Sequence, residues 1–199
     1  MCVFASGDNG NPATYPATGA WALGVGGTTL SLDAVGTVLG ETGWSGSGGG
    51  VSAYTPKPTW QNDATTAVRR SAPDVSYAAD PTTGFAVYSS TPYDRQSGWF
   101  QMGGTSAGAP QWAGILAATN QVRRAAGKPV LSAVTSTGAT PLHTALYGAA
   151  LRPTGALADV TIGTNGTCGA VCTAGTGYDS VTGVGSPRRG LDVVLRDAA

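Results

Sequence analysis

The run Trp99-Phe100-Gln101-Met102 has the alternating, aromatic character of a strand, and two glycines separate it from Thr105-Ser106-Ala107-Gly108-Ala109-Pro110. Immediately beyond, Trp112, Ile115, Leu116, Thr119 and Val122 fall on one face at helical spacing. A strand that passes this abruptly into a helix restricts the chain to folds in which strands and helices are interleaved and packed together. It also puts Ser106 at a helix mouth. There a hydroxyl can cap free N–H groups, or it can be presented as a nucleophile beside them. Small neighbours leave room for an approaching carbonyl, and Pro110 suits a first helical turn, where no N–H is needed.

The remaining elements support an α/β class. Met1-Cys2-Val3-Phe4-Ala5 reads as a buried strand running into the turn cluster Ser6-Gly7-Asp8-Asn9-Gly10, which puts Asp8 at the strand's carboxyl end, where sites gather in open α/β sheets. A second buried strand covers 21–30, and Thr37 to Gly40 pairs with Leu30-Ser31-Leu32 as a hairpin. The glycine-rich run 46–52 reads as a loop exposing its backbone, or as a flexible tether. A short helix is expected over Asp63 to Arg70, and strands over 73–79 and 84–88, with Asp74 a turn residue at a strand start. Past the long helix, Pro141 to Ala149 forms another, capped by Thr140 and carrying His143 as a surface or helix-end residue. Residues 159–185 form a long loop rich in glycine and threonine, and Ser186-Pro187 opens a last amphipathic helix with Leu191, Val194 and Leu195 inward.

A length of 199 residues suffices for one domain with a sizeable core. Formal net charge is zero and charged residues make up 11% of the chain, so nucleic acid and anionic membranes, which demand a basic excess, are disfavoured as partners. No apolar run reaches membrane-spanning length, and the amino-terminus lacks the basic region of a signal peptide. Cys168 and Cys172 lie four apart with no histidine nearby to complete a zinc set, which favours a local disulfide over a metal site and hence a secreted or otherwise extracytoplasmic setting. Cys2 reads as a buried thiol.

A nucleophilic serine needs a base, and the inventory is short. Gly104-Thr105-Ser106-Ala107-Gly108 matches the nucleophile elbow of the α/β-hydrolases in form, but those enzymes need an acid and then a histidine after the serine. The single histidine is His143, with no Asp or Glu between it and Ser106. The subtilisin order needs Asp and His before the serine, and no histidine precedes Ser106.

The ordered set Ser6-Gly7-Asp8-Asn9-Gly10, Val25-Gly26-Gly27-Thr28, Ser47-Gly48-Gly49-Gly50-Val51-Ser52, Pro58-Thr59-Trp60-Gln61, Pro73-Asp74-Val75-Ser76, Gly104-Thr105-Ser106-Ala107 with Pro110, Thr176-Gly177-Tyr178-Asp179 and Thr182 to Pro187 resembles the sedolisins, the serine-carboxyl peptidases. The resemblance implies a subtilisin-like, mainly parallel sheet flanked by helices, incomplete on its amino-terminal side, with residues 1–199 as the carboxyl-terminal portion of the catalytic domain. It implies that Ser106 attacks a peptide carbonyl and that Asp8 helps hold the oxyanion, although Asp8 by itself fits a plain Asx-turn. A carboxyl group donates that hydrogen bond only when protonated, so an acidic working pH is implied as well.

The family's glutamate and aspartate base pair lies on a helix upstream of the oxyanion aspartate, and the one glutamate here, Glu41, does not match it. The isolated chain is therefore expected to cleave peptides poorly, with the missing amino-terminal part of the domain as a partner alongside the peptide or protein substrate. The resemblance further implies a Ca2+ site in the loop 159–187, with Asp159 and Asp179 binding through carboxylates and Val160, Gly175 and Gly177 through carbonyls. Calcium takes about six to eight oxygens, so water completes the shell. On spacing alone these aspartates also fit Asx-turns. Two other functions are open: a catalytically silent module binding calcium or peptides at sheet edges, and a subtilisin-type enzyme completed by a histidine from another chain.

Overall fold

The computed structural model describes residues 2–132, 134–135, 140–151 and 155–198. Met1, the first residue of the expected leading strand, lies outside them. In chain order the elements are β1 (Cys2–Ala5), β2 (Ala22–Leu32), β3 (Val38–Gly43), β4 (Gly50–Pro56), β5 (Arg69–Ala72), β6 (Val75–Ala78), β7 (Phe85–Tyr93), β8 (Gln96–Met102), α1 (Thr105–Ala125), α2 (Pro141–Leu151), β9 (Leu157–Ala158), β10 (Ser186–Pro187) and α3 (Leu191–Asp197).

The long strand β2 organises the sheet. Its first half pairs in parallel with β1, its middle in parallel with β6, and its far end antiparallel with β3. The expected hairpin is this last pairing, with Leu30 opposite Glu41 and Ser31 opposite Gly40. β4–β5, β7–β8 and β9–β10 form separate two-stranded antiparallel ribbons.

One face of the β2–β6 region is covered by α1, whose Trp112 and Leu116 are fully buried against Val25 and Val75. The Trp112 indole N–H donates to the Ser76 carbonyl at 3.0 Å, so the largest core residue is also positioned by a polar bond. Val122, expected on the apolar face, is half exposed, because by that point α1 has run past the sheet. At its carboxyl end the buried guanidinium of Arg123 donates to Leu195, Arg196 and Ala198 carbonyls, tying α1 to the end of α3 where helix carbonyls lack intrahelical partners.

Several local expectations need correction. Pro110 lies in the second turn of α1, not the first, and so leaves the Ser106 carbonyl without its usual helical donor. No helix spans 63–70: a short 3-10 turn at Thr59–Gln61 is followed by irregular chain and β5, since Thr65, Thr66 and Val68 disfavour a helix and Arg70 is drawn into the core. Ser186-Pro187 pairs with β9, and the last helix begins only at Leu191, after Gly190 with φ 96°. β1 is half-buried, and Cys2, opposite Ala22 at the start of β2, is exposed and not a buried thiol. Residues 46–50 neither expose their backbone nor act as a tether, since 47–50 are buried.

Asp74 and His143 are the largest surprises. Asp74 is fully buried and pairs with fully buried Arg70 at 2.6 Å, while also accepting from the Gly24 N–H at 2.8 Å and the Tyr147 hydroxyl at 2.9 Å. Burial works to lower the Arg70 pKa, but the charges of Asp74 and its neighbours more than offset it, and the guanidinium stays charged. His143, far from the surface, is fully buried on α2, stacked on Trp60 with centroids 4.2 Å apart and bonded through Nε2 to the Ala22 carbonyl at 3.0 Å. A buried imidazole so placed serves packing between α2 and the sheet.

Candidate functional site

β1 ends at Ala5, and the chain beyond it turns toward the mouth of α1. The Asp8 carboxylate crosses 97 residues of sequence to accept from both the N–H and the hydroxyl of Thr105, each at 2.7 Å and each on Oδ1. The Thr105 hydroxyl also accepts from the Gly7 N–H at 3.2 Å. Gly104, the residue before the helix, has φ 113°, and a Cβ there would lie 2.8 Å from Asp8 Oδ2. Only glycine leaves that carboxylate oxygen its place.

Ser106 follows directly, with its side chain exposed. Its N–H belongs to the first helical turn and has no intrahelical partner by position. The structure thus places the two sequence-selected residues, Ser106 and Asp8, at one helix mouth, Asp8 through its bonds to Thr105 and Ser106 as the next residue with its side chain exposed. Such an arrangement can hold a carbonyl whose oxygen is gaining charge. His143 and Glu41 are engaged elsewhere: Glu41 accepts from Thr28, Ser186 and Arg188.

The Asp8 segment is held from behind by the glycine run. Gly48 N–H donates to the Gly7 carbonyl at 2.8 Å, and Gly10 N–H to that of Gly46 at 2.9 Å. The Asn11 side chain donates to the Gly49 carbonyl, and that of Asn165 to the Ser47 carbonyl, both at 2.8 Å. A Cβ on Gly48 would stand 2.1 Å from the Ser6 carbonyl oxygen, and one on Gly49 1.8 Å from that of Ser180. Neither Thr105 as the holder of Asp8 nor the asparagine clamp was selected from sequence. Thr105 and Asn11 were marked only by adjacency to a motif, and Asn165 by nothing local, since their partners lie far along the chain.

The loop 159–187 carries the other candidate residues. Asp179 is almost fully buried and accepts from Val181 and Thr182 N–H groups at 2.8 Å and from Gly175 N–H at 3.2 Å. Burial pushes its pKa up, against these donors. Asp159, exposed, accepts from the Gly177 N–H at 2.9 Å, and the Val160 carbonyl lies 3.4 Å from the Thr182 hydroxyl. The two carboxylates thus both accept from the 175–177 backbone. Among the described residues no ion pair reaches Asp179, and no cluster of three or more His, Cys, Asp or Glu side chains is gathered anywhere. Cys168 and Cys172 are joined in a disulfide at the edge of this loop.

No protein-family model matches the chain. Among curated proteins it is similar to sedolisin of Pseudomonas sp. (strain 101), 33% identical over 187 residues that cover 87% of this chain and 28% of that protein. Kumamolisin of Bacillus sp. (strain MN-32) is 33% identical over 93% of this chain and 34% of its own length, and human tripeptidyl-peptidase 1 is 29% identical over 93% and 35%. The chain therefore spans between about a quarter and a third of the length of these relatives. In three dimensions it matches Pseudomonas sedolisin, a serine-carboxyl proteinase, with a TM-score of 0.77 and 30% identity over 98% of this chain and 55% of that one. The subtilisin-like fold and the ordered motifs agree with these similarities: across the segment it shares with them, the chain belongs to the sedolisin family.

Proposed function

We propose that this chain carries the nucleophile and oxyanion side of an acid-acting serine-carboxyl peptidase, with Ser106 as nucleophile and Asp8 as oxyanion stabiliser. The observation that supports this most is the attachment of Asp8 to Thr105, which fixes a carboxyl group on the residue next to the exposed Ser106. Attack of Ser106 Oγ on a peptide carbonyl forms the Oγ–C bond and moves the C=O electron pair onto oxygen, where the Ser106 N–H and a protonated Asp8 would meet it. Among the described residues the Ser106 hydroxyl bonds to no carboxylate or imidazole. The base that takes its proton is therefore assigned to the Glu and Asp pair that the family resemblance sets ahead of the Asp8 segment.

The loop 159–187 suits a calcium ion. Its fit rests on Asp179, a buried carboxylate with no basic partner among the described residues, and on Asp159, which accepts from the same stretch of backbone. Asp159 and Asp179 would bind through carboxylates, with Val160, Gly175 and Gly177 contributing carbonyls, and the bound ion would supply the missing positive charge. The Cys168–Cys172 bridge fits an oxidising, extracytoplasmic setting for the protein.

The test is hydrolysis of an internally quenched peptide at acid pH, by the chain alone and by the chain joined to the amino-terminal part of sedolisin's catalytic domain. The joined protein is expected to cleave, and Ser106→Ala to abolish cleavage. If Ser106→Ala cleaves as well as its parent, the assignment is wrong. Calcium binding without any cleavage by the joined protein supports the silent binding module instead.

A further inference from the structure

We infer that Thr105 is a positioning residue that decides which oxygen of Asp8 faces the reacting carbonyl; this rests on the peptidase reading of the same site. Both donors of Thr105, its N–H and its hydroxyl, converge on Oδ1 at 2.7 Å. The hydroxyl has one proton. Its contact with Oδ1 is shorter than that with the Gly7 carbonyl at 3.1 Å, and the Gly7 N–H fills a lone pair from the other side. Oδ1 is thereby held as an acceptor.

Oδ2 has no hydrogen-bond partner among the described residues and lies over Gly104, where a side chain would collide with it. When the carboxyl is protonated, a proton on Oδ1 would face two donors, whereas one on Oδ2 faces open space at the helix mouth. Thr105 therefore reserves Oδ2 for the proton and aims it. Thr105 is itself fully buried and anchored at the first turn of α1, so its two donors are fixed and require no reorganisation when charge develops. The glycine run behind Gly7 fixes the backbone of the Asp8 segment but leaves the carboxyl torsion free. Among the described residues, the hydrogen bonds to the Asp8 carboxylate come from Thr105, which sets that torsion.

The experiment takes as parent the chain joined to the amino-terminal part of sedolisin's catalytic domain, which supplies the base, and compares it with Thr105→Val, which keeps shape and backbone N–H but loses the hydroxyl, and with Thr105→Ser, which restores it. The first readout is the Asp8 side-chain rotamer from NMR couplings, together with the melting temperature. The second is capture of a 13C-labelled tripeptide aldehyde. In that addition the Ser106 Oγ–C bond forms, the C=O π bond breaks, and the hydroxyl proton ends on the former carbonyl oxygen. It is an equilibrium without a leaving group, and Ser106→Ala serves as its blank.

Parent and Thr105→Ser are expected to show one Asp8 rotamer and equal capture. Thr105→Val is expected to average its rotamers and capture the aldehyde about tenfold more weakly, with unchanged affinity for the corresponding alcohol. If Thr105→Val keeps one rotamer and full capture, the inference is overturned while the peptidase reading stands. If the parent captures nothing yet Thr105→Val averages its rotamers, the peptidase reading falls and the positioning of Asp8 by Thr105 stands. Should Thr105→Val not fold, the trans-hydrogen-bond coupling between the Thr105 amide and the Asp8 carboxyl carbon in the parent decides, and its absence overturns the inference.

Discussion

Arg70 and Asp74 meet at 2.6 Å with no part of either side chain exposed, four residues apart on either side of the turn into β6. The guanidinium also lies over the Trp60 ring at 4.8 Å. Removing one partner strands the other's charge in the core, so Asp74→Ala or Arg70→Ala should cost about 3–5 kcal/mol of unfolding free energy. Urea unfolding measures this. A double-mutant cycle should show strong coupling, because the second truncation has no stranded charge left to create.

Gly49 and Gly40 make a matched pair. A methyl group on Gly49 meets the Ser180 carbonyl, whereas one on Gly40, in exposed β3, meets nothing within 4 Å. Gly49→Ala should lower stability by about 1–3 kcal/mol or more, the cost of overpacking, and Gly40→Ala should leave it unchanged or slightly raised. Thermal melts of the two variants side by side check the claim.

His143 is packed between Trp60 and the Ala22 carbonyl and is expected not to catalyse. His143→Ala removes a stacked ring and the bond to Ala22, and should destabilise by about 2–4 kcal/mol. In any protein form that cleaves peptides, activity per folded molecule should be retained. A thousandfold loss in turnover with normal stability would instead make His143 a base.

Asp80 bears on acid tolerance. Burial pushes its pKa up, but the Thr29 hydroxyl and the Thr82 N–H and hydroxyl outweigh it, so the net shift is downward. A folded pKa below the unfolded one contributes stability that is full above the unfolded value of about 3.9 and is lost as pH falls through the lower folded value. Asp80→Asn should therefore lower stability at neutral pH and flatten the decline below about pH 4. Unfolding midpoints collected from pH 7 to pH 2 would expose a decline that the substitution leaves untouched.

Calcium should raise the melting temperature, since an ion that binds only the folded chain stabilises it by about 2.7 kcal/mol at a hundredfold excess over its dissociation constant. Asp179→Asn should remove that dependence, and a chelator should reverse it. A melt indifferent to calcium in the parent chain would remove the ion from the account.

Local pattern made the strands around β2, the β2–β3 hairpin and the start of α1 readable, because each is specified by neighbours a few residues away. Ser106 and Asp8 could be selected because glycine clusters mark both, and the Cys168–Cys172 pair because close spacing does. What stayed hidden depends on distant partners. His143 looked like a surface residue since nothing nearby announces Trp60 or Ala22, and the expected helix at 63–70 failed because Asp74, beyond its end, pulls Arg70 inward. Thr105 was visible only as a motif letter. Its work on Asp8 needed the contact across the fold.

The clasp between Glu41 and Ser186, at 2.7 Å and 145 residues apart, has a consequence for how the molecule is made. Together with Ser47 to Val181 and Asn165 to Ser47, separated by 134 and 118 residues, it stitches the glycine-rich run to segments synthesised more than a hundred residues later. Contacts this remote in sequence close large loops and slow folding. A nascent chain must hold β2, β3 and the glycine run unsealed until residue 186 has left the ribosome, so the segment that steadies the helix mouth around Asp8 and Ser106 is closed only after β2, β3 and α1 have long been made.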